Sequence, residues 1–171
     1  MGAGVSNPII DLRSWEYERG FAVGIARFTA NWGNQDARHY DRSRMEEDRS
    51  AQAAAALCEI AVARYTNSYW HGHVWHRTDH WKNRNAADVG DRIEVRRVRT
   101  KNAVAVRRSD SGKEVWAAKI VEPEYRQIEI LGFIDAEDAL SRFVLNGSTW
   151  DYVPLAALSR PWAEVVVERN G

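Results

Sequence analysis

The chain predicts an α+β (or α/β) sandwich: a mixed β-sheet flanked by helices, preceded by a helical extension. Three observations lead there. The run Ala53-Ala-Ala-Ala-Leu-Cys-Glu59-Ile-Ala-Val-Ala63 combines high helix propensity with apolar residues on most faces. Between Arg92 and Phe133, short alternating segments are separated by turn-forming residues, as in successive strands. Finally, 171 residues with 44% hydrophobic and 28% charged side chains suit one soluble domain with a real core. The expected division is a helical N-terminal extension over 1–45, a core over 46–140 and a C-terminal wrap over 141–171.

The first element is an amphipathic helix over residues 11–30, on which Leu12, Trp15, Ala22, Ile25, Ala26 and Phe28 roughly follow helical spacing, with Gly33 as a stop. Gly20 and Gly24 work against it, each costing about 1 kcal/mol relative to Ala in a helix interior. Residues 34–46 are polar and rich in Arg and Asp, as in a loop or exposed helical turn. The next helix, 46–65, carries one charge between Arg49 and Arg64, namely Glu59. A carboxylate among so many apolar residues needs a metal, a cation or backbone amides as partner, unless it lies on a thin polar stripe facing water.

Residues 66–87, rich in Asn, His, Trp and Arg, predict a long irregular connection, which in a compact domain often carries function. Four strands follow at 92–99, 102–108, 114–121 and 127–133. Ser109-Asp-Ser-Gly112 predicts a hairpin between the second and third, and Glu122-Pro-Glu124 breaks the third from the fourth. Asp135 N-caps a short helix with acids in its first turn. The tail, with Pro154 and Pro161, wraps the core and ends in an edge strand at 164–168. No internal repeat is present.

Several function classes are excluded or disfavoured. No apolar run approaches a membrane span, and the first residues lack the basic-then-apolar order of a signal peptide. Cys58 is the single cysteine, which rules out an internal disulfide framework, fits a reducing cytoplasm and suits a buried helix position better than a nucleophile. There is no P-loop, dinucleotide-binding glycine pattern or nucleophile elbow.

Charge balances at 24 basic and 24 acidic residues, but unevenly. Arg92, Arg96, Arg97, Arg99, Lys101, Arg107 and Arg108 form a basic stretch, and acids dominate from Glu122 to Asp138. Either the basic stretch contacts a polyanion, or it covers a solvated sheet face and pairs with the acidic segment. The stretch Asp88-Val-Gly-Asp-Arg-Ile-Glu94-Val-Arg96 is the most informative. Glu94 and Arg96 alternate with Ile93 and Val95, so the charged pair shares one face while the apolar pair points into a core. Two carboxylates and a cation at a strand end can hold a divalent ion and polarise a phosphate; the bland reading is a turn Asp plus a surface ion pair.

His71, His73, His76 and His80, four of the chain's five histidines, fall close together, and His76 and His80 would share a face of a helix. Zinc is conceivable, but no cysteine accompanies them and Gly72 interrupts. A Trp/His/Arg-rich surface loop is the simpler reading. Trp70, Trp75 or Trp81 could stack on bases, although core packing is the usual fate of tryptophan.

The helix with Glu59, then Ala87-Asp88-Val-Gly, then Ile93-Glu94-Val-Arg96, resembles the PD-(D/E)XK nuclease superfamily, and more narrowly its small phage-encoded members. The likeness extends loosely through Ile130-Leu-Gly132-Phe-Ile-Asp135, about half the chain. It implies a restriction-endonuclease-like fold, with Asp88 and Glu94 as ligands of Mg²⁺ (or Mn²⁺) and Glu59 as the helix acid completing the catalytic site, a metal ligand directly or through water. Arg96 stands where the pattern has Lys, and Arg cannot act as a general base; it would neutralise charge in the transition state, leaving water activation to the metal. Lys101 is a possible migrated lysine.

The resulting expectation is a metal-dependent nuclease cleaving nucleic acid, DNA foremost, in the cytoplasm of a host cell. Arg97, Arg99, Lys101, Arg107 and Arg108 would contact flanking phosphates, and a homodimer is conceivable. The alternative is a non-catalytic protein on the same fold that binds nucleic acid or a host protein. Converging Asp88 and Glu94 carboxylates would favour the first, and a Glu94–Arg96 salt bridge closing the pocket the second.

Overall fold

A computed structural model describes residues 6–31, 45–79, 82–83, 85–99, 102–121, 123, 125–143 and 150–161. Among these lie β1 (Ile9–Asp11), α1 (Ser14–Ala30), α2 (Met45–Tyr65), β2 (Ile93–Arg97), β3 (Ala103–Arg107), β4 (Glu114–Val121), β5 (Gln127–Asp135), α3 (Ala136–Arg142) and β6 (Trp150–Pro154). The class is α+β with a mixed sheet. Four strands run in the order β1-β5-β4-β2, with β2 and β4 parallel and the other pairs antiparallel, while β3 and β6 form a second, antiparallel pair. No helix among the described residues is long and apolar enough to cross a membrane.

The sheet is buried on both faces. On one side Leu57, Cys58, Ala61 and Val62 of α2 meet Val95, Trp116, Ala118, Ile128 and Ile130. On the other, Val115, Ala117 and Ile134 meet Val104 and Val106 of β3, Val153 of β6 and Ala139 of α3. This two-sided demand accounts for the nearly uninterrupted apolar run of β4. A register shift at Ala117/Ala118 places Leu131 as an extra residue in β5, so Leu131 and Phe133 reach opposite cores.

The structure corrects three expectations. A strand, β1, precedes the first helix and edges the sheet against β5, so the segment from Ile9 to Ala30 is built into the fold rather than appended to it. The face of α1 also differs: Glu16, Gly20 and Gly24 are buried, while Trp15 and Ile25 are exposed at 56% and 40%. The cause is a close helix crossing, since a Cβ on Gly24 would lie 2.3 Å from the Cα of Ala53 on α2. Lastly, Ser109–Gly112 does not close a β3–β4 hairpin. It overlaps a 3₁₀ turn, Arg108–Asp110, that sends the chain between two sheets, because β3 pairs with β6 and β4 with β2 and β5.

The helix expected at 46–65 is α2, and the four expected strands are β2 to β5 within a few residues. Asp135 caps α3, its carboxylate accepting from the backbone of Glu137 and Asp138. Strand β6 was not anticipated. The helix stop at Gly33, nearly all of the 34–46 loop, Lys101, His80, Trp81 and the 164–168 strand lie outside the described residues.

Candidate functional site

The turn that carries Asp88 is closed by its own backbone. Asp88 and Val89 both donate to the carbonyl of Ile93 at 3.0 and 3.1 Å, and Gly90 adopts the positive φ that the reversal requires. Residues 69–71 run alongside: Gly90 N–H donates to Tyr69 O at 2.7 Å, and His71 N–H to Asp88 O at 3.3 Å. Among the described residues β2 is an edge strand with no strand partner for the Val95 N–H, and Asp88 Oδ2 accepts it at 2.9 Å. The carboxyl of Asp88 therefore folds back over the strand that bears Glu94 and Arg96.

Glu94 and Arg96 share a face, as the alternation predicts, and Arg96 Nη1 donates to Glu94 Oε1 at 2.7 Å. Arg96 Nη2 also reaches both oxygens of buried Asp110 at 2.8 Å, and Asp110 accepts the Arg107 N–H as well. The second oxygen of Glu94 takes Lys113 Nζ at 2.9 Å, and the same ammonium donates to Ala86 O at 3.0 Å. Burial raises the Glu94 acid, but Arg96 and Lys113 together outweigh it and hold the group below its ordinary value.

Glu59 enters from α2. Arg27 of α1 grips it end-on, Nη1 to Oε1 at 2.6 Å and Nη2 to Oε2 at 2.9 Å, and Trp70 Nε1 donates to Oε2 at 2.9 Å. Trp70 itself is bridged to Val89, next to Asp88. The three acids thus occupy one neighbourhood, and Asp88 registers it: burial first, then Glu59, then Glu94, push its acid up to about 8. The Val95 N–H and Arg96 oppose that shift without cancelling it.

No family model, curated protein or solved structure matches this chain. Its chemistry is therefore read from its own side chains. Of the residues expected to carry catalysis, Glu94 and Arg96 pair directly and Asp88 folds back onto the same strand, whereas Glu59 is held on both oxygens by Arg27 and Trp70. Of the expected phosphate contacts, Arg107 and Arg108 adjoin the Asp110 turn, Arg99 is exposed past the end of β2, and Arg97 is half-buried on β2. Trp70 was a base-stacking candidate, but its ring packs against the core and its N–H serves Glu59. Cys58 is fully buried, and burial pushes its thiol up to about 12, which leaves it inert as a nucleophile.

Arg27, Lys113 and Asp110 are site members that the sequence did not announce. Arg27 arrives with the α1–α2 crossing, Lys113 with the parallel β2–β4 pairing that begins at the adjoining Glu114, and Asp110 with the 3₁₀ turn after β3. The histidine segment is irregular rather than helical from His71 to His76. Among the described residues, no three His, Cys, Asp or Glu side chains are arranged to hold a metal. Mg²⁺ commonly binds through one or two carboxylates with waters and substrate phosphates, so Asp88 and Glu94 match its donor chemistry. Its entry would require Glu94 to release a cation and Asp88 to release its proton.

Proposed function

We propose that this chain is a metal-dependent nuclease acting on nucleic-acid phosphodiesters, DNA foremost, with a restriction-endonuclease-like arrangement of its mixed sheet. The observation that carries the reading is that Asp88, folded back onto β2, feels both Glu59 of α2 and Glu94 of β2, whose charges add to burial, the largest cause, in raising its acid. Such crowding of buried acids is costly and is typical of functional sites.

The charge balance suits a phosphodiester. With Asp88 protonated, Glu59, Glu94 and Asp110 are matched by Arg27, Arg96 and Lys113. Ionised Asp88 plus a divalent ion would leave one net positive charge, complementary to one phosphodiester. Mg²⁺ or Mn²⁺ held by Asp88 and Glu94, with Glu59 behind them, would polarise the phosphate and lower the pKa of water. Arg96, clamped by Asp110, cannot accept a proton but is held ready to neutralise charge. Lys113, whose ammonium sits on Glu94, supplies a second donor to the phosphate. Arg107 and Arg108, adjoining the Asp110 turn, would contact the neighbouring backbone, with Arg99 farther along.

The test is incubation with plasmid and single-stranded DNA in Mg²⁺ or Mn²⁺. Wild type should cleave, and Asp88→Ala or Glu94→Ala should not; identical behaviour of all three overturns the proposal. One observation favours a second reading, a non-catalytic binder of nucleic acid or protein: Arg96 and Lys113 already occupy both oxygens of Glu94. DNA binding that weakens steeply with salt, without cleavage in either metal, would establish that reading.

A further inference from the structure

Tyr69, His71, His73 and Trp75, at alternate positions of an irregular segment, set four rings in a row. His71 and His73 stack at 4.8 Å with planes 4° apart, and His73 and Trp75 stack at 4.5 Å. Tyr69 stands edge-on across the end of this stack, 5.2 Å from His71. We propose that this row is a base-stacking platform, on which an unpaired nucleobase rests against Tyr69 while its strand's phosphate lies at the Asp88–Glu94 site. The inference rests on the nucleic-acid reading of that site and deepens it: the preferred ligand is a single strand or a locally opened duplex.

Three observations support it. The row is not core: Trp70, on the opposite side of the segment, packs into the interior, whereas Tyr69 and Trp75 belong to neither core cluster and Tyr69 is 70% exposed. The row is also continuous with the site. Tyr69 O accepts from Gly90, His71 N–H donates to Asp88 O, and the His71 ring bonds Gly90 O at 2.7 Å, so the first two rungs lie on the turn that bears Asp88. Finally, the rungs are held in place. Gly72, at φ +59, passes 3.3 Å from the Trp70 ring at its nearest, measured from where a Cβ would stand. Arg27 Nε holds His73 O at 2.7 Å. An exposed ring at the end of a braced stack offers a π-face to any base.

The experiment measures equilibrium binding, in EDTA, of a single-stranded oligonucleotide carrying 2-aminopurine, the same strand with abasic positions, and the matching duplex. Wild type should bind the intact strand more tightly than the duplex and quench the 2-aminopurine. Tyr69→Ala, which keeps the backbone acceptor, should weaken intact-strand binding about tenfold, as loss of one stacked base does, and Tyr69→Phe or Tyr69→Trp should restore it. The abasic strand should bind wild type weakly and be indifferent to Tyr69→Ala. If Tyr69→Ala binds the intact strand as wild type does, or loses equally on the abasic strand, the platform is overturned. If wild-type protein still cleaves plasmid in Mg²⁺ in that event, the Asp88–Glu94 reading survives; a wild-type protein that binds no nucleic acid removes both.

Discussion

Glu59 shows what a carboxylate within an apolar helix requires. Its need for a partner is legible in the Ala-rich run around it, but the identity of that partner is not. Arg27 lies 32 positions away and arrives only because two helices cross closely. Removing one member of a buried pair leaves an uncompensated charge. Arg27→Met is therefore expected to cost about 3–5 kcal/mol in denaturant unfolding, and Arg27→Met/Glu59→Gln less than the sum of the single changes. Asp88 gives a prediction of opposite sign. Its acid rises from 3.8 to about 8 on folding, so the folded protein keeps a proton that the unfolded chain releases. The contribution of Asp88 to stability should fall as pH rises between those values and then level off, while His73, whose pKa burial lowers from 6.5, opposes that fall below pH 6.5. Glu94 does not mask this, because its shift lies below its ordinary 4.5 and acts only in more acidic solution. Asp88→Asn, which can still accept the Val95 N–H, should flatten the slope between pH 4 and 8 and exceed wild type at pH 8, as read from urea midpoints.

At the scale of elements, α1 is where hydrophobic periodicity misleads. The spacing of Trp15, Ala22, Ile25 and Ala26 marks an apolar stripe, yet the buried stripe contains Glu16, Gly20 and Gly24. The helices approach so closely that only hydrogen fits at Gly24, and a buried carboxylate is tolerated at Glu16 because Arg64 and the Arg13 N–H satisfy it. The propensity scale predicts that Gly24→Ala stabilises by about 1 kcal/mol. The packing predicts a loss of about 3 kcal/mol, since the added methyl meets backbone rather than a yielding side chain. Urea unfolding of Gly24→Ala beside Thr29→Ala, an exposed control on the same helix, separates the two. The strands themselves were legible from alternation, but their partners were not. Turn chemistry at Ser109–Gly112 suggests a local hairpin, and it is instead Asp110, buried against Arg96, that the turn serves to place.

For the whole molecule, zero net charge hides an arrangement in which basic residues face two kinds of partner. Arg27, Arg96 and Lys113 are consumed by buried acids, and Arg92 pairs with Asp135 across 3.5 Å, part of the pairing that a solvated sheet face would show. Arg108 adjoins the site and Arg99 lies past the end of β2, and both side chains are exposed. The sequence displays Arg92, Arg96, Arg99 and Arg108 in one stretch and gives no means of separating them, because burial depends on β2 lying beside β4 and on the turn after β3. Their separation predicts different behaviour in salt. A cation that contacts phosphate releases a counterion on binding, so Arg108→Ala or Arg99→Ala should each weaken DNA binding and reduce the slope of log K against log salt by about 1. Lys113→Met should leave that slope nearly unchanged when no divalent ion is present, because its ammonium already answers Glu94 in the free protein. A slope that falls equally for all three variants would mean that the buried ammonium leaves Glu94 for phosphate even without metal.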